Sequence, residues 1–443
     1  MLSAVARVFR TPDLRNKLAF TLFIVAIYRL GSFIPSPLVN YPNVQQCIAQ
    51  NQSTSGLYEL VNLFSGGALL QLSIFSLGIM PYITSSIIIQ LLRVVIPRFE
   101  TLHKEGQSGQ AKLTQYTRYL TIALAVLQST TLVAVANQGA LFGQNCVLPV
   151  IKDNTWVGIS LMVLTMTAGT GLIMWLGELV TERGVGNGMS LLIFTSIASR
   201  FPASLTQIAQ QKDIETLIAV IAIGVVTVGL VILVEQSQRR IPVQYAKRMI
   251  GRREYGGQST YIPIKVNMAG VVPVIFASSL LYLPALIAQF NQPDKNGNVQ
   301  PWVTWVSNYL TRGDHPLYMA VYFLLIFGFT YFYVAITFNP EEVADDMKRY
   351  GGFIPGIRAG RPTMEFLDYV LSRITFPGAL YLGLIALIPL VAFGLLGTSQ
   401  NFPFGGTSIL IIVGVGLETV KQINAQMQQR NYEGLLKLSL IQI

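Results

Sequence analysis

Residues that could carry out catalysis are few in this chain, and they are not grouped for it. Only two histidines, His103 and His315, occur among 443 residues. The carboxylates in or near apolar stretches lie close to the ends of those stretches, whereas a proton or cation relay is expected near the middle. These carboxylates are Glu178, Glu182, Glu235 and Glu418. The sequence has no G-x-x-x-x-G-K-[ST] phosphate loop and no paired aspartates within an apolar stretch. It therefore predicts no enzyme, no cofactor and no metal site.

The two cysteines, Cys47 and Cys146, form neither a metal-binding motif nor a redox motif. Both fall in segments that the predicted topology places on the outer side of a membrane, where disulfides can form. Two cysteines are weak evidence for a bond, so the sequence leaves open whether they pair.

The elements that must position every other residue are apolar stretches. The chain has 52% hydrophobic and 12% charged residues, whereas soluble domains have about 25% charged residues. A spanning helix needs about 20 mostly apolar residues, and ten stretches are predicted to span. They are Leu18–Pro35, Gln71–Leu92, Tyr119–Ala136, Trp156–Gly177, Gly188–Pro202, Leu217–Val234, Val266–Phe290, Leu317–Phe338, Ile374–Leu396 and Gly405–Ile423.

The distribution of lysine and arginine predicts the orientation of these spans. Most of the 31 cations lie in alternate connecting segments, and Arg29 lies within a span. The other segments hold only Lys152, Arg200, Lys212, Lys295 and Arg312. Because cytoplasmic loops retain cations, both termini are predicted to be cytoplasmic. The formal net charge of +10 then lies on one membrane face, which favours anionic lipid headgroups or a polyanionic partner.

The spans predict an all-α polytopic membrane protein in two halves, 1–205 and 206–443, with five helices each. An odd number of helices per half requires any structural repeat to be inverted in the membrane. An inverted-repeat secondary transporter of a small solute is the alternative interpretation. That alternative predicts a charged or polar site at mid-depth, and the sequence contains no such charge.

Three segments do not fit simple spans or short connections. The apolar stretch GLYELVNLFS at 56–65 would cover about 12–15 Å as a helix, and Gly66 and Gly67 follow it. It predicts either a half-helix that lines a cavity or a helix lying on the outer surface. The inside loops at about 236–265 and 340–373 are long, and long loops usually carry function. They are predicted to be docking surfaces, although basic tethers at an anionic leaflet remain an alternative.

The run FSGGALLQLSIFSLGIMPYITSSIIIQLL, from Phe64 to Leu92, resembles the SecY family of protein-conducting channel subunits. KEGQSGQAKLTQYTRY, MWLGELVTERGVGNGMSLLIF, RRIPVQYAKRMIGRREYGGQSTYIPIKVNMAGVVPVIFASS, RYGGFIPGIRAG and FGGTSILI extend the resemblance over nearly the whole chain. The region VADDMKRYGGFIPGIRAG looks most like cyanobacterial or plastid-type members.

The resemblance implies an hourglass pore that is closed on its outer side by a plug at about 57–70. The plug residues carried over are Tyr58, Leu60, Val61, Phe64, Ser65, Gly66 and Gly67. An apolar ring forms the waist, and such a constriction excludes ions by dewetting. Its members are Ile79, Ile83, Ile87, Met189, Ile193, Ile275 and Ile411. Met189 stands where many relatives have isoleucine, and its flexible side chain implies a softer seal.

The resemblance also implies a lateral gate, through which transmembrane segments leave sideways into lipid. Its residues are Thr84, Gln128, Asn267 and Ser278. The inside loops would bind the SecA motor ATPase and the ribosome, including its RNA, through Lys247, Arg248, Arg252, Arg253 and Arg358. Further implied partners are SecE-like and SecG-like small subunits, signal sequences, nascent chains and membrane lipids. The plasma membrane, the thylakoid membrane or both would house the protein.

Overall fold

The computed structural model describes residues 12–50, 65–137, 148–211, 214–245, 248–250, 253–255, 259–290, 300–310, 315–396 and 406–440. The chain divides into two compact units. The first comprises Met1–Lys212, Ser399–Pro403 and Val415–Ile443, and the second comprises Asp213–Thr398 and Phe404–Gly414. The division that we predict at 205/206 stays a prediction, since the units are defined by internal contacts and not by symmetry. Of the plug residues, Tyr58, Leu60, Val61 and Phe64 lie outside the described residues.

The described elements are mainly helices, as the sequence predicts. In the first unit they are α1 (Pro12–Phe33), α2 (Tyr41–Gln50), α3 (Met80–Val95), α4 (Pro97–Lys104), α5 (Gln107–Asn137), α6 (Trp156–Arg183), α7 (Gly188–Ala198) and α8 (Phe201–Gln211). The second unit contains α9 (Ile214–Gln236), β1 (Gln238–Tyr245), β2 (Arg248–Ile250), β3 (Arg253–Tyr255), β4 (Ser259–Lys265), α10 (Val272–Phe290), α11 (Pro301–Tyr309), α12 (Pro316–Thr337), α13 (Pro340–Arg349), β5 (Gly352–Phe353) and α14 (Arg361–Leu396). Helix α15 (Gly406–Leu440) begins in the second unit and continues in the first.

Six described helices are long and apolar enough to cross a membrane, and a seventh is added if α3 and α4 count as one bent span. Helices α1, α7 and α10 also occupy positions where the sequence predicts spans. The count of ten spans stays a prediction.

Helix α3 begins later than the sequence predicts. We expect a span from Gln71, but the helix begins at Met80, and residues 65–79 form a series of turns that we name the α3 lead-in. Gly66, Gly67 and Gly78 have positive φ angles within it. Glycine adopts this backbone region without steric cost, so the apolar composition predicts burial correctly but not the helix start.

The helix ends where proline requires it. Ile96 is extended, with φ −105° and ψ 110°, and Pro97 follows it as the first residue of α4. A residue before proline disfavours helical geometry because of a clash with the proline ring. The chain therefore turns by 98° between α3 and α4.

The segment after α1 and the segment before α6 are joined. Val39 forms a β-bridge with Ile151, and the amide of Asn40 donates to the carbonyl of Val150 at 2.8 Å. Their apolar side chains share a core with α5 and α6. Cys47 lies in this core, is fully buried and is disulfide-bonded. The only other cysteine of the chain, Cys146, lies outside the described residues.

The two long loops at about 236–265 and 340–373 fold together, which the sequence did not predict. Strand β1 pairs with β4 on one side and with β5 on the other, both antiparallel. Helix α13 packs on this sheet, and we name β1, β4, β5 and α13 the sheet module. Its core contains Ile241, Val243, Ile264, Met347 and Ile354. Burial of alternate residues along β1 is the pattern of a strand with one face packed against a core.

Candidate functional site

The ring residues that resemblance implies occur near the starts of four helices. Ile79 is the N-cap residue of α3, with Ile83 and Ile87 one and two turns beyond it. Met189 and Ile193 lie in the first two turns of α7. Ile275 is the fourth residue of α10, and Ile411 is the sixth of α15. Six of the seven are buried, and Ile83 is half-buried.

Close glycine packing sets the position of Met189. The side-chain oxygen of Asn187 accepts hydrogen bonds from the amides of Met189 and Ser190, which caps α7. The Met189 thioether lies against Gly177 of α6, where a Cβ would overlap it. A Cβ on Gly188 would likewise overlap the carbonyl oxygen of Gly177. A larger residue at Gly188 would force α7 away from α6, whereas one at Gly177 would displace the flexible Met189 side chain.

An arginine of α1 contacts the described end of the predicted plug. Arg29 donates from Nη1 to the carbonyl oxygen of Gly66 at 2.8 Å, and its guanidinium lies 4.6 Å from the ring centroid of Phe33. Ser65 is buried, and its hydroxyl accepts a hydrogen bond from the amide of Leu69. The sequence located Arg29 in a span but gave it no role.

The α3 lead-in is packed tightly between helices. A Cβ on Gly31 of α1 would overlap the ring of Phe75, and a Cβ on Gly169 of α6 would overlap the carbonyl of Ile74. The amide of Ile74 donates to the carbonyl of Ile34 at 3.0 Å. These contacts hold the backbone that leads into the ring-bearing helix α3.

The second unit has a shorter counterpart at residues 266–271, which we name the α10 lead-in. Asn267 is 4% exposed and donates from Nδ2 to Glu235 Oε1 at 2.6 Å and to the carbonyl of Gly270 at 3.3 Å. Gly270 has φ +62°. A Cβ on Gly378 of α14 would lie 2.5 Å from the carbonyl of Val266. An amide, a carboxylate and a close helix contact therefore fix the start of α10.

Two of the other predicted gate residues, Thr84 and Ser278, form hydrogen bonds within their own units. Thr84 Oγ1 donates to the carbonyl of Met80 at 2.9 Å. Ser278 Oγ donates to the carbonyl of Val274 at 2.8 Å and lies 3.1 Å from the hydroxyl of Tyr322. Gln128 is half-buried on α5. The assignment of these residues to a gate stays a prediction.

Three of the five predicted docking cations lie among the described residues. Arg358 is exposed in the turn between β5 and α14, and its carbonyl accepts a hydrogen bond from Thr363. Arg248 and Arg253 lie on β2 and β3, which pair in an antiparallel hairpin. Lys247 and Arg252 lie outside the described residues.

The sequence also missed an ion pair between α5 and α6. Arg118 donates from Nε and Nη2 to the two carboxylate oxygens of Glu178, each at 2.8 Å. Such bidentate pairs add geometric specificity. The sequence places Glu178 near the end of an apolar stretch, but only the tertiary contact joins it to Arg118. In the described part of the chain, no cluster of three or more His, Cys, Asp or Glu could hold a metal ion.

Known proteins resemble this chain in sequence and in fold. A family model described as SecY matches residues 73–420. Protein translocase subunits SecY of Micrococcus luteus and Streptomyces galbus are 62% and 64% identical to the chain, covering 99% of it and 100% of each relative. A solved structure of a protein-conducting channel superposes with a TM-score of 0.61 at 18% identity, covering 93% of this chain and 92% of that chain.

The fold is that of a polytopic channel protein, and the chain belongs to the SecY family. It is a protein translocase subunit that acts as a channel and not as an enzyme. The alternative of a small-solute transporter is therefore set aside. The expectation of a cyanobacterial or plastid-type member is not supported, because the relatives named above are actinobacterial. The loop sequence VADDMKRYGGFIPGIRAG carried that expectation, and it is too short to separate lineages.

Proposed function

We propose that the seven ring residues form the seal of a polypeptide-conducting pore. The observation that carries this proposal is their shared position near the starts of α3, α7, α10 and α15. The Asn187 cap fixes the start of α7, and lead-ins with close contacts fix the starts of α3 and α10, so the ring residues in the first turns of these three helices have defined positions. Apolar side chains can exclude water from a narrow passage without binding a particular peptide sequence.

Replacing Ile83 and Ile193 by serine tests this seal. We expect the resting chloride flux of membrane vesicles containing the full-length chain to rise, because hydroxyls allow water to fill the constriction. The matched control is Ile218→Ser with Ile221→Ser, since both isoleucines are exposed on α9. Equal flux in the ring variant and in the control would remove the ring from the function.

We propose that residues about 57–70 act as the plug, and that polypeptide segments leave sideways through a gate that includes Thr84, Gln128, Asn267 and Ser278. The plug of a SecY protein in a second solved structure stabilises the closed state of that channel and maintains a membrane seal. The conformations of Gly66 and Gly67, both with positive φ, support a hinge at the end of the corresponding segment here. Deletion of residues 57–67 is expected to raise the resting flux, and unchanged flux would contradict the plug assignment.

We propose that the sheet module and the β2–β3 hairpin form the docking surface for a SecA-like motor ATPase and for the ribosome. The exposed guanidinium of Arg358 supports this assignment, since arginine binds both carboxylates and RNA phosphates. Another solved structure that resembles the chain is Sec61 in a canine ribosome–channel complex.

Both termini would then lie in the cytoplasm, and the protein would lie in the plasma membrane with SecE-like and SecG-like subunits. The thylakoid alternative depended on the cyanobacterial resemblance.

Arg358→Glu tests the docking proposal. Translocation is expected to fall strongly while the amount of chain in the membrane stays unchanged, because charge reversal repels anionic partner groups. Lys152→Glu, which reverses an exposed cation in the segment before α6, is the control. Normal translocation by the Arg358 variant would contradict the assignment.

A further inference from the structure

Arg29 is a cation within α1, where the sequence predicts a membrane span, and it contacts the α3 lead-in. Ionisable residues at such positions are costly and usually have a functional partner. The partner here is the Gly66 carbonyl, at 2.8 Å from Nη1. The aromatic ring of Phe33 covers the guanidinium, which is favourable for a cation with reduced access to water.

The same place joins α1 to α7. Tyr28, the neighbour of Arg29, has its hydroxyl 2.6 Å from the hydroxyl of Ser196 on α7. A Cβ on Gly66 would lie 3.3 Å from Arg29 Nη1 and 3.3 Å from the Cα of Ser196. Ile193, a proposed ring residue, lies one turn before Ser196. The Gly66 backbone therefore lies between the arginine and a ring-bearing helix.

The backbone at Gly66 depends on outside contacts to keep its conformation. Gly66 and Gly67 have φ +67° and +93°, and two adjacent glycines have more backbone freedom to lose than any other pair of residues. A charge-assisted hydrogen bond to the carbonyl between them restricts that freedom in the closed state.

We propose that Arg29 is a positioning residue for the closed channel, in which its guanidinium holds the α3 lead-in against α1 and α7 through the Gly66 carbonyl. This inference rests on the proposed ring and plug. Loss of the contact frees the hinge next to the proposed plug and the backbone that leads to Ile79 and Ile83, so the closed state loses stability relative to the open state.

Arg29→Gln is the first test, in vesicles containing the full-length chain. Loss of a hydrogen bond to a charged group shifts a two-state equilibrium by about tenfold, so resting chloride flux is expected to rise by about that factor. A preprotein whose signal segment is weakened by one added charge is also expected to cross faster, since less binding energy is needed to open the channel. A variant that is merely misfolded would not gain this activity. Lys152→Gln removes the same charge from an exposed position and serves as the control.

Two further variants test the route through Gly66. Arg29→Lys keeps a charged donor and is expected to recover part of the seal; a leak equal to that of Arg29→Gln would overturn the proposal. Gly66→Ala introduces a Cβ at positive φ beside Nη1 and is expected to leak on its own. Combining it with Arg29→Gln should add little, because both changes remove one interaction. Full additivity of the two effects on the logarithm of the flux would overturn the proposal.

The variant with Ile83→Ser and Ile193→Ser distinguishes failure of the Arg29 inference from failure of the proposed ring. If it leaks while both Arg29→Gln and Gly66→Ala stay sealed, the role of Arg29 is wrong and the ring stands. If none of the three leaks, the ring fails together with the inference that rests on it. If Arg29→Gln does not accumulate in the membrane, the resting flux of Arg29→Lys and of Gly66→Ala tests the proposal instead.

Discussion

The lead-ins of α3 and α10 precede two helices that carry proposed ring residues, and they are held in different ways. The α3 lead-in occupies 15 residues, 65–79, and is fixed by a cation of α1 and by close packing against Gly31 and Gly169. The α10 lead-in occupies six residues, 266–271, and is fixed by the Asn267–Glu235 hydrogen bond and by Gly378. The hydrogen bond that holds the α3 lead-in goes from the Arg29 side chain to a backbone carbonyl, whereas the one that holds the α10 lead-in joins two side chains.

The difference follows from what each lead-in connects. The α3 lead-in includes the end of the proposed plug, so its contacts bear on whether the channel is closed. The α10 lead-in follows β4 directly, and the amide of Val266 donates to the carbonyl of Ser237, just before β1. Movement of the sheet module therefore reaches α10 through a few residues. We infer that the first lead-in serves the seal and that the second serves communication with docked partners.

The largest effect is expected from Gly31→Ala, which changes the contact between α1 and the α3 lead-in. The new Cβ overlaps the ring of Phe75, which also stacks on Tyr28, and such overpacking costs about 1–3 kcal/mol. Thermal unfolding of the purified chain with its subunits should occur several degrees lower, and resting flux should rise. Gly229→Ala is the matched control, because a Cβ added at Gly229 would meet no atom within 4 Å beyond its own helix backbone. Equal behaviour of the two variants would show that the lead-in is not tightly held.

A smaller effect is expected from Glu235→Ala in the α10 lead-in. Removing the acceptor leaves the buried Asn267 amide with only its longer contact to the Gly270 carbonyl at 3.3 Å, at a cost of about 1 kcal/mol, the lower end of the range for a buried polar group. Translocation rate and thermal stability should both fall, while resting flux stays at the level of the unchanged chain. Glu235→Gln retains an acceptor oxygen and should behave more mildly. A resting leak in the alanine variant would break the distinction between the two lead-ins.

The smallest effect is expected from Ser278→Ala, one turn beyond Ile275 on α10. Its hydroxyl lies 3.1 Å from that of Tyr322 on α12, and polar contacts between membrane helices are worth about 1 kcal/mol or less. A small increase in the rate of translocation is expected, with thermal unfolding nearly unchanged. The same result from Tyr322→Phe would support the Ser278–Tyr322 contact as the cause. A large loss of stability in either variant would contradict a gate role.

Apolar length predicted most of the helices, because burial in a membrane imposes that pattern over many residues; the orientation taken from the cations stays a prediction. Apolar length did not predict the helix start at Met80, since the turns at Gly66, Gly67 and Gly78 are as apolar as the helix that follows. The sheet module was also missed, because β1 pairs with β5 across a long sequence separation and neither strand shows a strong local pattern. The roles of Arg29 and Glu178 depend on tertiary partners that no local motif contains.

The pairing of the segment after α1 with the segment before α6 affects the timing of biosynthesis. Asn43 donates to the carbonyl of Pro149, a residue 106 positions later, and Val39 forms its bridge with Ile151. A ribosome making this chain must therefore release α5 and begin α6 before the earliest loop can reach its final shape. Until then, Val44 and its apolar neighbours lack their partners, so partly synthesised chains would be targets for membrane proteases at that loop.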